Sequence, residues 1–338
     1  MRVKRFASLL AAGLVIACGG GTSSNVAQLG ALKATVQVNF WHALSGTLQT
    51  ELQALTDQFN SSQSMVHVNL TAKGAYTDLN KAVLTGIAAN QAPDVAQCIE
   101  TDAAKYHSSK ALADLTPYIN AADGLSGADL KDIFPVMLGA AKISGTYYQF
   151  PFNKSTTVVY YNQDMFAAKG ISSPPTTWAE FFSDASKLSD SSKGVTGIEG
   201  PSLDTFLSML YEYGGQLYDN PTNPTKAMVN SAAGVKAMTV WTDAIKSGAA
   251  KPIPAGNFAD QVDFQNQKTA MYMSTQVSYQ FIVKPIGTKF KFAETPFPAG
   301  DKGVKDEMFG ANMCVFNKSS ADVQHGAMLY IKYLTSQT

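Results

Sequence analysis

The chain has 338 residues, a formal net charge of zero, 45% hydrophobic residues and 15% charged ones. That profile is globular with ample apolar material for a core, and the length sets a prior of about two domains. Balanced charge without a local cluster of lysines or arginines argues against a nucleic-acid binder, which needs a basic face to neutralise phosphates.

The chain opens on Arg2, Lys4 and Arg5, followed by a short apolar run from Phe6 to Ala17. The run is too short for a bilayer core of about 30 Å, which needs roughly 20 residues, so residues 1–18 read as an export signal. Its end, Val15-Ile16-Ala17-Cys18, resembles a bacterial lipobox, in which the cysteine receives a lipid and becomes the new N-terminus. A plain signal peptide with Cys18 incidental is the alternative. Gly19-Gly20-Gly21-Thr22-Ser23-Ser24 begins a flexible tether over 19–33. Lipidation would anchor the protein without a transmembrane helix.

Thr35 to Phe40 alternates and is β-branched, which predicts a strand. Leu48, Leu52, Leu55 and Phe59 stand at helical spacing within 47–59. A second strand follows at Val66–Leu70, a second helix at Asp78–Ala89 and a third strand at Pro93–Ile99. This alternation predicts a parallel α/β sheet with right-handed crossovers. Tyr147–Asn162 is a long extended stretch, helices are predicted over 178–188 and 204–213, and Thr269–Met273 and Phe309–Phe316 read as extended. Cys98 and Cys314 stand in apolar strand contexts; they either pair, as an exported protein allows, or serve as two small buried hydrophobes, and the second reading is preferred.

The four histidines, His42, His67, His107 and His325, form no metal-ligand spacing, and no cofactor is implied. There is no nucleophile elbow, P-loop or dinucleotide fingerprint. Asp204 with Glu212, and Asp301 with Glu307, are expected on solvated faces. Past the proposed strands stand Trp41-His42, Gly74-Ala75-Tyr76, Glu100-Thr101-Asp102, Asn153-Lys154-Ser155 and Ser274-Thr275. Ligands of open α/β sheets sit beyond such strand ends. This mixture of aromatics, hydroxyls, amides and a carboxylate suits polyols and sugars. Ser45, Thr77 and Thr101 also fit helix N-caps.

Five stretches carry a family resemblance: Phe40-Trp41-His42-Ala43-Leu44-Ser45-Gly46, Lys73-Gly74-Ala75-Tyr76, Ala92-Pro93-Asp94-Val95-Ala96-Gln97, Gln149 to Thr156 running into Tyr160-Tyr161-Asn162-Gln163-Asp164, and Pro174-Pro175-Thr176-Thr177-Trp178. In order and spacing the chain resembles the family 1 extracellular solute-binding proteins, most of all their glycerol-3-phosphate-binding branch, with maltose-type binders more distant. The resemblance implies a two-lobed periplasmic-binding-protein-like α/β fold, each lobe a mostly parallel sheet with helices on both faces, joined by hinge strands. Lobe I would run over 34–153, lobe II over 154–310, and 311–338 would return to lobe I, with the C-terminal part of the family fold missing. The ligand positions it implies are Tyr76, Glu100, Ser155, Thr275 and Gly310, with Trp41 and His42 as a supporting rim. A tryptophan that lines the cleft in the glycerol-3-phosphate branch has no counterpart, the aligned stretch reading Glu199-Gly200-Pro201-Ser202.

The resulting expectation is a monomeric, non-enzymatic, lipid-anchored extracytoplasmic protein. It would bind a polyol phosphate, a glycerophosphodiester or a small saccharide and deliver it to inner-membrane permease subunits of an ABC importer. An exported carbohydrate-active hydrolase and a sensor subunit that presents ligand to a receptor are the rivals.

Overall fold

The computed structural model describes residues 28–220, 224–256 and 258–336. The export signal, Cys18 and the start of the tether lie outside them. Residues 28–33, expected to be tether, are held on the body. The Leu32 N–H donates to Asp123 Oδ2 (2.9 Å), and the Ala122 N–H donates to the Leu29 carbonyl (2.9 Å).

Strands and helices first alternate: β1 (Val36–His42), α1 (Gly46–Ser62), β2 (Val66–Ala72), α2 (Tyr76–Ala88), β3 (Val95–Cys98) and α3 (Glu100–Ser108). Short helices α4 (Thr116–Ile119), α5 (Gly127–Asp132) and α6 (Pro135–Ala140) and the hairpin β4 (Lys142–Ile143) and β5 (Thr146–Tyr147) lead into β6 (Phe150–Asn162). Then come α7 (Gln163–Ala168), α8 (Trp178–Leu188), β7 (Ile198–Glu199), α9 (Leu203–Glu212), α10 (Ala232–Lys246), β8 (Ala250–Lys251), α11 (Ala259–Gln265), β9 (Met271–Thr275), α12 (Tyr279–Ile286) and β10 (Phe292–Pro296). The described chain closes with β11 (Met308–Val315) and α13 (Ala321–Leu334). No helix among the described residues is long and apolar enough to cross a membrane.

The 13-residue β6 serves two sheets. From Phe150 to Thr156 it pairs with β11; from Thr157 onward it pairs with β9 and β10. The first sheet runs β2-β1-β3-β11-β6, with β11 antiparallel to both neighbours, so β6 points the same way as β1, β2 and β3. In the second sheet β9 and β10 flank β6 antiparallel; β7 joins β9 through the parallel bridge Thr196↔Thr269, and β8 lies parallel to β7. In the first sheet only β11 runs against the other strands, as the resemblance implies, whereas in the second both ladders of β6 are antiparallel and the parallel pair β7–β8 stands as a separate small sheet. Because β6 leaves the first sheet at its carboxyl edge and enters the second where β9 ends, Thr157 opposite Thr275, the carboxyl edges of both sheets face one crossing.

Alternation along the strands builds a core on each side of each sheet. On lobe I, Val38, Phe40, Val95 and Val315 meet α1 and α13, whereas Ala96, Cys98 and Cys314 meet α2 and α3. On lobe II, Val159 packs among Trp178, Phe181 and Trp241, and its neighbours Val158 and Tyr160 turn to Phe264, Tyr272 and Ile282. The start of α8 carries a capping box, Thr177 Oγ1 accepting from the Glu180 N–H at 3.2 Å.

Three expectations are corrected. Ser45 stands at the N-cap of α1 without a capping bond, and Thr77 and Thr101 lie inside α2 and α3, whose caps are Ala75 and Ile99. At α2 the Asp78 carboxylate takes the Ala75 N–H instead (3.3 Å). Cys98 and Cys314 form a disulfide, with Cα atoms 6.0 Å apart, rather than serving as separate small hydrophobes. Register explains it: β3 and β11 are neighbours with Cys98 opposite Asn312 and Cys314 opposite Ala96, which sets the sulfurs on one diagonal. Glu212 is fully buried rather than solvated.

Candidate functional site

The segment Asn153–Thr157 of β6 is the middle of the site, and the ends of β1, β2 and β3 approach it from lobe I. Asn153 Nδ2 donates to the Tyr76 hydroxyl (3.2 Å), and Asn153 Oδ1 accepts from Gln97 Nε2 (3.2 Å) and the Ala311 N–H (3.3 Å). Gln97 Oε1 in turn accepts from the Ala43 N–H (2.6 Å), so this chain of amides ties β1, β3, β6 and β11 together. Burial pushes the Tyr76 phenol up, and the Asn153 bond only partly offsets it.

Glu100 opens α3 where β3 ends. Its Oε1 accepts from Lys154 Nζ (2.6 Å) and Asn312 Nδ2 (3.0 Å). Burial would raise this carboxyl, but the Lys154 hydrogen bond and charge and the Asn312 amide outweigh it and hold it below the usual range. The Lys154 side chain is only 3% exposed whereas that of Glu100 is 42% exposed, so the ammonium is enclosed and the second carboxylate oxygen stays open. Asn312 also donates to Gln149 Oε1 (2.9 Å).

Ser155 is buried at the crossing, opposite Phe309. Thr275 ends β9 opposite Thr157, and the Tyr160 hydroxyl holds the turn behind it through the carbonyls of Thr275 (3.1 Å) and Gln276 (3.0 Å). The Thr275 hydroxyl makes no hydrogen bond among the described residues. Gly310 lies opposite Lys154 with φ +90°, and a Cβ there would stand 1.8 Å from the Asn153 carbonyl oxygen. Its lack of a side chain is thus already demanded by the β6–β11 contact.

The structure brings Tyr76, Glu100, Ser155, Thr275 and Gly310 to one crossing, but it sets the two rim residues apart. His42 is 1% exposed and faces the lobe I core beside Phe40; burial lowers its pKa, and its Nδ1 has no partner. Trp41 points to the opposite face, half-buried, with Lys73 Nζ 3.9 Å from its ring centroid. Alternation along β1 forbids both from lining one surface.

Residues that sequence reasoning did not assign complete the site. Lys154, Asn153 and Gln97 stood within the motifs, but only the folded register makes them partners of Glu100 and Tyr76. Asp306 takes the Thr157 N–H and Oγ1 (2.7 Å each), which staples the approach to β11 onto β6. Glu307 follows, just before β11, and Asp204 stands in the first turn of α9, past the end of β7. Burial raises the carboxyls of Asp204 and Asp306; it also raises Glu307, with repulsion from the other two adding. Glu199 does not take the place of the missing tryptophan: it is buried beside Lys251 (2.8 Å), and burial pushes it up to about 7.

Known proteins share this fold. The chain is 24% identical over 318 residues, 90% of its length and 72% of the other's, to the sn-glycerol-3-phosphate-binding periplasmic protein UgpB of Rhizobium meliloti. Its fold matches UgpB from Mycobacterium tuberculosis in complex with glycerophosphocholine at a TM-score of 0.76, with 21% identity over 89% of this chain and 77% of that one. It matches the GacH receptor of Streptomyces glaucescens, solved unliganded and with acarbose, at 0.75, with 24% identity over 90% of this chain and 76% of that one. Residues 54–338 match the bacterial extracellular solute-binding proteins, and the chain belongs to that family.

Proposed function

We propose that the chain is the solute-capturing lipoprotein of an ABC importer, and that it holds an uncharged hydroxyl-rich solute, a small saccharide or polyol, between its two lobes without altering it. The observation that carries this reading is the set of groups left open at the crossing. Tyr76 and Thr275 offer hydroxyls, Ser155 makes only a long 3.5 Å bond to its neighbour's carbonyl, and Glu100 keeps one carboxylate oxygen free. Neutral hydroxyls can donate to the carboxylate and accept from the phenol. The backbone at Gly310 adds a close approach.

Charge favours a neutral solute over a phosphate. Lys154 is already paired with Glu100, and the Asp306 carboxylate sits on the crossing strand at Thr157. A dianionic ester would meet repulsion there. The likeness to the glycerol-3-phosphate-binding relatives supports the rival ligand. The solute would pass to permease subunits in the membrane, with the protein acting as a lipid-anchored monomer through Cys18.

Calorimetry on the mature protein tests this with maltose, mannitol, glycerol-3-phosphate and glycerophosphocholine. Binding heat is expected from maltose or mannitol and none from glycerol-3-phosphate. Glu100→Gln should weaken the bound solute by about tenfold, from loss of a charge-assisted hydrogen bond. Tight glycerol-3-phosphate binding would move the reading to the phosphate branch, and a chemically changed solute would replace it with a hydrolase.

A further inference from the structure

The Cys98–Cys314 disulfide flanks two groups of the site. Cys98 ends β3, and Glu100 opens α3 two positions later. Cys314 follows Asn312 by two positions on β11, and Asn312 is the register partner of Cys98. At the site, Asn312 Nδ2 of β11 donates to Oε1 of Glu100, at the start of the helix that follows β3 (3.0 Å).

Both strands are paired on both sides, β3 with β1 and β11, and β11 with β3 and β6, but each has a weak point. β3 has four residues. On its other side β11 slips by one register against β6 between Ala311 and Asn312, one residue past Gly310 at φ +90°, which leaves Phe152 of β6 without a register partner. A bulge of this kind disrupts local pairing and re-aims the side chains beside it. The covalent link crosses from β3 to β11 next to that slip. Its sulfurs are enclosed, Cys98 at 1% and Cys314 at 0% exposure, which suits a fixed brace rather than a thiol that exchanges with solvent.

We propose that the Cys98–Cys314 disulfide is a positioning device for the solute site: it sets the register in which Asn312 meets Glu100 and so directs the free carboxylate oxygen of Glu100 at the solute. The proposal rests on the reading of Glu100 as a solute contact, and its test includes an arm that needs no solute.

The experiment compares wild type with Cys98→Ala/Cys314→Ala. The Glu100 carboxyl is titrated by carbon NMR, assigned with Glu100→Gln, and maltose and mannitol affinities are measured alongside. In wild type Glu100 should titrate below the usual carboxylate range; in the cysteine-free protein its midpoint should move up. Affinity should fall by about tenfold. In a Glu100→Gln background the same cysteine removal should change affinity less than about twofold, because the position being fixed no longer matters. Asn312→Leu, with the disulfide intact, should reproduce the upward move of Glu100 and serves where the cysteine-free protein does not fold. A folded cysteine-free protein with unchanged Glu100 titration and affinity overturns the proposal, as does an Asn312→Leu protein with unchanged titration. If wild type binds neither maltose nor mannitol, the solute reading fails by itself, and the titration still decides the positioning claim.

Discussion

Gly310 meets a backbone demand and a packing demand at one position. Its φ of +90° lies where a side chain is strained, and the space a Cβ would need is filled by the Asn153 carbonyl. Gly310→Ala is therefore expected to destabilise the protein by about 2 kcal/mol or more in urea unfolding, and a loss under ~0.5 kcal/mol would contradict the packing described. Glu212 makes a different residue-scale prediction. Its Oε2 accepts from Trp178 Nε1 and its Oε1 from the Lys305 N–H (3.1 Å), yet burial pushes it up to about 7. A carboxyl raised in the folded state stabilises fully below its unfolded value of 4.5, and that contribution is lost as pH rises through about 7. Glu199 acts in the same window. Stability measured by denaturant should fall between about pH 4.5 and 7, by up to ~3 kcal/mol for Glu212. Glu212→Gln should lower stability overall, since an amide cannot accept both N–H groups, while reducing that slope. An unchanged slope would show that Glu212 does not titrate in this range.

At the scale of elements, the Asp306 staple shows what joins the lobes. Thr157 is the first β6 residue to pair with lobe II, and Asp306 reaches it from the loop before β11, so one carboxylate fixes both crossing strands. Thr157→Val preserves shape but removes one donor from the half-buried Asp306 carboxylate, which costs about 1 kcal/mol. Hydrogen exchange should quicken at Met308–Gly310 and stay unchanged in α10; a uniform change would mean global destabilisation instead. The elements themselves were legible to different degrees. Strands β1 and β2 and helix α8 show clean periods of two and 3.6, β3 reads as a short run buried on both faces, and the bounds of all four fall within a few residues of those read from sequence. Helix α10 was missed because small residues such as Ala232, Ala233 and Gly234 blur its apolar stripe. The facing ends Tyr76, Glu100, Ser155 and Thr275 were legible because strand ends carry site chemistry. The Lys154–Glu100–Asn312 cluster was not, since it joins residues up to 212 apart through a register that only the folded β11 sets. The disulfide was offered by the sequence but not preferred, because the same register is what sets the two sulfurs side by side.

At the scale of the molecule, the same crossing decides what binding can do to shape. A solute that touches lobe I alone binds open and closed forms equally and shifts nothing; only contacts to both lobes favour closure. Tyr76 and Glu100 stand at strand ends of the first sheet, Ser155 lies on the crossing strand, and Thr275 ends β9 of the second sheet, opposite Thr157. Thr275 is therefore the contact expected to couple affinity to closure. X-ray scattering of wild type should show a smaller radius of gyration with saturating maltose or mannitol, whichever binds. Thr275→Val keeps volume and removes the hydroxyl, so affinity should fall by about fivefold, the worth of one neutral hydrogen bond. Compaction at saturation should also be incomplete, because the lost energy belonged to the closed form alone. Tyr76→Phe should weaken binding while leaving full compaction at saturation. If both variants compact as wild type does, closure is driven by the hinge strands rather than by the solute bridging the lobes.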